Sequence, residues 1–150
     1  MKKLTPGQIS ALFSNLARGS EKQYKQEEAK LFTELADYFR SITPNPEDSS
    51  IEYLSELLKK DIEDYPSVRA DADKASDRGA ARVCVWGEKV TRMLSSILDR
   101  YLKEGNSMFE GKEIWICTVC GFIYIGETPP ELCPVCKVES WKFKKSEGRK

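Results

Sequence analysis

Four cysteines near the end of the chain form two Cys-x-x-Cys pairs separated by twelve residues: Cys117, Cys120, Cys133 and Cys136. Two residues between cysteines let a tight turn direct both thiolates at one ion, and two such turns supply four sulfur ligands. Four sulfurs in a tetrahedron suit zinc or iron, and the ligands alone do not choose between them. Two disulfides or free thiols are the alternatives. The spacing therefore predicts one metal site in this four-cysteine cluster.

The rest of the chain offers little further chemistry. Its 150 residues include no histidine, and no glycine-rich phosphate loop or nucleophile–base pair occurs in them. The fifth cysteine, Cys84, lies in a helical pattern and is expected to be a small buried apolar side chain. The alternative, a reactive thiol, has no histidine beside it for activation. We therefore predict no catalytic residue.

Charge and hydropathy limit the classes of partner and the cellular compartment to be expected. Lys and Arg number 24, as do Asp and Glu, so the net charge is zero, and electrostatics gives no reason to expect a nucleic acid or membrane partner. No apolar run reaches signal-peptide length or the roughly 20 residues of a membrane span. We expect a cytoplasmic protein. In a reducing compartment, paired cysteines favour metal binding over disulfides.

The residues before the cysteines predict an all-α bundle of about four helices, because amphipathic segments alternate with short loops. The first is expected to be a single helix of about 30 residues that starts after the cap at Thr5 and is weakened in its middle by Gly19 and Ser20. The second begins at the Ser49 cap and ends at Pro66, and a shorter third covers about 67–77. The fourth carries a clear apolar stripe and ends at Gly105, which suits a left-handed cap.

A small β module is predicted to follow the helices, because "IWIC" and "FIYI" have the apolar and β-branched character of short strands. The predicted domains are a helical bundle over 1–106, a linker over 107–112 and a metal module over 113–150. So small a module needs metal to fold. Gly121 follows the first cysteine pair and can present its N–H to sulfur in a left-handed conformation, whereas the equivalent Lys137 would adopt it at a cost of about 1–2 kcal/mol.

Residues 115–143, "WICTVCGFIYIGETPPELCPVCKVESWKF", resemble the rubredoxin-like module at the C-terminal end of rubrerythrins. Upstream, "YPSVRADADKASDRGAARVCVWGEKV" at 65–90 is similar to the third and fourth helices of rubrerythrin. The points of similarity in the module are Trp115 before the first cysteine, the Cys-x-x-Cys-Gly-Phe-x-Tyr run at 117–124, Cys-Pro-x-Cys at 133–136, and the aromatic ending Trp141 and Phe143.

The resemblance implies a ferritin-like bundle followed by a rubredoxin-like module that holds one iron per chain, cycling between ferric and ferrous, with zinc as the alternative occupant. It implies an electron carrier rather than an independent enzyme, with redox proteins as partners whose identities the sequence does not give. The bundle would serve as a scaffold for docking or oligomerisation, and a homodimer is a candidate assembly. A zinc-holding adaptor protein without redox activity is the alternative function.

Rubrerythrins also hold two irons inside the bundle, and the last helix contributes a Glu-x-x-His motif. Alignment on Trp86 and Val90 puts that motif on Leu94 and Ile97, which are both aliphatic. The resemblance therefore implies that the diiron centre has been lost and that the chain has no peroxidase activity of its own. An all-carboxylate metal pair that uses Glu27, Glu28 or Glu63 is the remaining alternative.

Overall fold

The computed structural model describes residues 3–147. Within them, four α-helices precede a three-stranded sheet, which confirms the predicted class, a helical part followed by a small β module. Residues 1–2 and 148–150, the ends of the two predicted domains, lie outside the description. The helices and strands are α1 (Pro6–Lys22), α2 (Gln26–Ser41), α3 (Ile51–Lys74), α4 (Arg78–Glu104), β1 (Glu113–Cys117), β2 (Ile123–Gly126) and β3 (Phe143–Lys145).

The chain divides into two compact units, Met1–Glu47 and Asp48–Lys150. The first unit is a hairpin of α1 and α2, whose helices pack closely because small side chains lie between them. The Ser10 hydroxyl donates a hydrogen bond of 2.8 Å to the Ala36 carbonyl oxygen, and Ala36 is 3% exposed. The predicted capping box at Thr5 is present at the start of α1.

The predicted unbroken first helix is wrong, because the chain turns at Gln23–Lys25. Tyr24 has a φ of 60°, and the N–H groups of Gln23 and Lys25 both donate to the Ser20 carbonyl oxygen at 3.0 Å. The apolar spacing continues across this turn, so helical periodicity alone does not reveal it.

In the second unit, α3 runs through Pro66, so the predicted helix end at that proline is also wrong. Proline removes one backbone donor from the helix, but α3 packs against α4 on both sides of it. Before it, Ser55 is 3% exposed, and its hydroxyl lies 3.3 Å from an Asp99 carboxylate oxygen. After it, Ala72 is buried. Tertiary packing therefore holds the helix together through the proline.

The end of α4 leads directly into the β module. Gly105 has the positive φ that favours glycine, 60°, but its ψ of −146° differs from that of the left-handed cap that the sequence predicts, so that prediction is wrong in detail. A 3-10 turn over Gly105–Phe109 follows and buries Met108 almost completely. In the described part of the chain, no helix is long and apolar enough to cross a membrane.

The sheet is antiparallel, with β1 between β2 and β3. The first two strands lie where the sequence predicts them. The third, β3, is unpredicted; it is three residues long and pairs with the second half of β1, so that Phe143 lies opposite Cys117. This pairing brings the end of the module back beside the first cysteine.

Candidate metal centre

The first cysteine turn joins β1 to β2. The Cys117 N–H donates to the Phe122 carbonyl oxygen at 2.8 Å, and the Gly121 N–H donates to the Cys117 carbonyl oxygen at 2.9 Å. Gly121 has a φ of 79°, as predicted. Its predicted hydrogen bond to sulfur is wrong, however, because its N–H is directed at this carbonyl group.

The second cysteine turn repeats these bonds. The Cys133 N–H donates to the Val138 carbonyl oxygen at 2.8 Å, and the Lys137 N–H donates to the Cys133 carbonyl oxygen at 3.0 Å. Lys137 adopts the left-handed conformation, with a φ of 63°. The two turns are therefore alike in backbone geometry, although one has glycine and the other lysine at the strained position.

The two turns bring the four sulfur atoms together. The Sγ atoms of Cys117 and Cys136 are 3.7 Å apart, and those of Cys120 and Cys133 are 3.6 Å apart. All four lie within 4.8 Å of one another. Sulfurs at the corners of a tetrahedron with metal–sulfur bonds of about 2.3 Å would be about 3.8 Å apart. The cluster therefore fits one tetrahedral ion.

The same distances bear on the disulfide alternative. A disulfide requires sulfur atoms about 2.05 Å apart, and all five cysteines, which lie within the described residues, are free thiols. Cys84 is outside the cluster and buried in α4, as the sequence predicts for a small apolar side chain.

Burial divides the cluster into an inner and an outer pair. The inner pair, Cys117 and Cys133, is 1% and 0% exposed, whereas the outer pair, Cys120 and Cys136, is half-buried. Phe143 is buried beside the inner pair, and its ring meets that of Phe122 edge-on, with centroids 6.5 Å apart. One side of the site is thus dry, and the other lies near the surface.

Hydrogen bonds and burial act in opposite directions on the thiols. Burial by itself would raise the pKa of Cys117, but the N–H donors of Cys120 and Val119, together with hydrogen bonds from the Cys136 and Cys120 thiols, hold that pKa below the usual thiol value. Burial raises the pKa of Cys120 far above the usual value, and it also raises that of Cys136. Donors to sulfur stabilise negative charge there, which is a common feature of iron–sulfur sites.

The other predicted positions lie apart from the cysteines. Leu94 and Ile97 are half-buried on α4, while Glu27, Glu28 and Glu63 are exposed. Within residues 3–147, the four cysteines form the one group of three or more potential ligand side chains close enough to share an ion. The identification of Leu94 and Ile97 as lost diiron positions stays a prediction.

The sequence alone did not place two residues, Trp86 and Val90, beside the site. Trp86 and Val90 of α4 pack against the buried core that contains the inner cysteines. Both lie on the predicted apolar stripe of α4, but that stripe shows only that they are buried. Their contact with the cysteine turns is a tertiary one, for which the local sequence has no signal.

Comparison with known proteins agrees with this geometry. The family described as "Rubrerythrin, rubredoxin-like domain" matches residues 115–144. Rubrerythrin-1 of Clostridium acetobutylicum is 34% identical over 77 residues, which cover 48% of this chain and 39% of the relative. A putative rubrerythrin of Methanocaldococcus jannaschii is 42% identical over 36 residues, which cover 23% of this chain and 18% of the relative. The chain thus matches less than half the length of these relatives.

Solved structures of nigerythrin extend the likeness to the helices. Its fully reduced, all-ferrous state superimposes with a TM-score of 0.56 and 16% identity, covering 94% of this chain and 81% of that chain. Its partially reduced state has a TM-score of 0.59 at 16% identity, covering 94% and 80%. Residues 115–144 therefore form a rubredoxin-like domain of the rubrerythrin type. The chain has the fold of nigerythrin, in which ferritin-like helices precede such a domain.

Proposed function

We propose that this protein transfers single electrons through one iron bound by the four-cysteine cluster, and that its helices dock redox partners or a second copy of the chain. The observation that carries the proposal is the tetrahedral arrangement of four sulfurs inside a rubredoxin-like domain. The proposed setting is the cytoplasm, where reducing conditions keep cysteines available for metal.

The surroundings of the cysteines suit this role. When bound, an iron in such a site supplies one-electron exchange between its ferric and ferrous forms, and the nigerythrin relative is described as all ferrous in its fully reduced state. The buried inner pair keeps water from one side of the site. The half-buried outer pair, Cys120 and Cys136, brings the other side near the surface, where a partner can approach. Backbone N–H donors stabilise charge on the sulfurs.

We further propose that the electron acceptor is another protein. Leu94 and Ile97 cannot ligate metal, and the carboxylates of Glu27, Glu28 and Glu63 are exposed. In the described chain, no carboxylate cluster of ligand geometry accompanies the cysteines. These features support a carrier that passes its electron on and does not reduce peroxide itself.

The test is the colour and metal content of the protein. Aerobically purified protein should be red, with visible thiolate-to-iron charge-transfer bands that dithionite bleaches reversibly, and should contain one iron per chain. Cys133→Ser should abolish these bands because it removes an inner ligand. Cys84→Ala, which changes a cysteine outside the cluster, should leave them unchanged.

Two other results would contradict the proposal. Protein that stays colourless and keeps one zinc per chain, even after reconstitution with iron, would be the zinc-holding adaptor. About three irons per chain together with peroxide turnover would instead show a carboxylate diiron enzyme. Reconstitution is needed because expression in rich medium can load zinc into a four-sulfur site that also accepts iron.

A further inference from the structure

Two residues of α4 pack against the buried core that contains the inner cysteines. The core of the module in the described structure consists of the buried residues Cys117, Cys133, Val135 and Phe143. Trp86 and Val90 pack against this core and are half-buried there. They are four residues apart, so they lie on the same side of the helix. The dry interior of the module is thus completed by side chains of α4, a helix that lies outside the module.

Packing against α3 fixes the rotation of α4. The Thr91 hydroxyl donates to the Gly87 carbonyl oxygen at 2.9 Å, so the Tyr65 hydroxyl, 3.2 Å from Thr91 Oγ1, is the donor in that pair. A Cβ atom at Gly87 would lie 2.6 Å from the Tyr65 oxygen, so the helices meet closely there. Gly87 and Thr91 directly follow Trp86 and Val90 in sequence. The contact with α3 therefore sets the direction in which those two side chains point.

We propose that Trp86 is a positioning residue of the metal site. With Val90, it shields the inner thiolates from water on the side that faces α4, and so lowers the reduction potential of the site and slows the release of its metal. The effect on potential rests on the proposed function. The effect on metal release holds for iron and zinc alike.

The direction of each effect follows from charge and access. Four thiolates make the site anionic, and reduction adds one further negative charge. An apolar wall disfavours the more highly charged form, so removal of the indole should raise the reduction potential. The same opening admits water and chelator to the thiolates, so the metal should leave faster.

The experiment compares Trp86→Ala with Trp141→Ala and Trp86→Phe. Trp141 is a matched control, since the residue is 68% exposed and its indole N–H donates to the Glu139 carboxylate. We expect Trp86→Ala to raise the midpoint potential of the iron form and to speed release from the zinc form to a chelator roughly tenfold. Trp86→Phe should restore most of both properties, and Trp141→Ala should match the unaltered protein.

The outcomes separate this proposal from the proposed function. The proposal for Trp86 would be overturned if Trp86→Ala folds and has the same reduction potential and the same rate of metal release as Trp141→Ala. If Trp86→Ala does not fold, Val90→Ala trims the same wall, and unchanged metal release in that variant would overturn it equally. If the unaltered protein binds no iron, the proposed function fails, but the release rates of the zinc forms still decide the role of Trp86.

Discussion

Gly121 and Lys137 adopt the same left-handed backbone conformation at equivalent points of the two cysteine turns, with φ values of 79° and 63°. Each donates its N–H to the carbonyl group of the first cysteine in its turn. Glycine adopts this conformation without a steric cost, whereas a residue with a Cβ atom loses about 1–2 kcal/mol. The second turn is therefore strained at Lys137, whereas the first turn has no such strain at Gly121.

Lys137→Gly should increase the free energy of unfolding by about 1 kcal/mol. The gain is smaller than the full strain because glycine also makes the unfolded chain more flexible. Chemical denaturation of the zinc-loaded protein at a fixed excess of zinc measures it. The matched control is Gly121→Ala, which should lose about the same amount, since a Cβ atom there meets nothing within 4 Å and only the backbone is strained. A neutral or destabilising Lys137→Gly would contradict the left-handed turn.

Removal of the metal should unfold the β module. Its strands have five, four and three residues, and two of the four buried residues of its core are cysteine ligands. Burial alone cannot hold so small a module together. In hydrogen exchange with chelator present, amides of β1 and β2 should exchange almost as fast as in an unfolded peptide. Zinc should restore their protection.

The hairpin of α1 and α2 is the internal reference in that experiment. Its packing depends on Ser10 and on stacked rings, such as Phe13 and Phe39 with centroids 5.9 Å apart, and none of these contacts involves a cysteine. Its amides should keep their protection without metal. Unchanged protection of β1 in the metal-free protein would show that the module folds without its ion.

Gly87→Ala should destabilise the second unit by about 1 kcal/mol. Alanine is normally favoured over glycine inside a helix by about that amount, but here the new Cβ atom would lie 2.6 Å from the Tyr65 hydroxyl, and overpacking costs roughly 1–3 kcal/mol. Thermal unfolding measures the change. Gly19→Ala in α1 is the control and should be stabilising, because a Cβ atom there meets nothing within 4 Å. A stabilising effect at both sites would disprove the close approach of α3 and α4.

The sequence predicted the meeting of the four cysteine sulfurs far better than the helix boundaries, for a physical reason. Cys-x-x-Cys spacing determines local turn geometry, so the cysteines alone were enough to predict that their sulfurs would meet. The passage of α3 through Pro66 and the contact of Trp86 with the module depend on packing between distant segments. Periodicity shows that such residues are buried but not what covers them.

Periodicity also failed to show the turn that divides the predicted first helix into α1 and α2. A substitution at Tyr24, which lies in that turn, tests whether the turn is present. Its side chain is 88% exposed and its φ is 60°, so Tyr24→Gly should relieve strain and raise stability by about 1 kcal/mol. In an unbroken helix the same change would lower stability, because glycine is a poor helix former. Glu34→Gly, at an exposed position inside α2, is the control and should lose about 1 kcal/mol. Urea denaturation compares the two variants, and losses in both would favour one continuous helix over the hairpin.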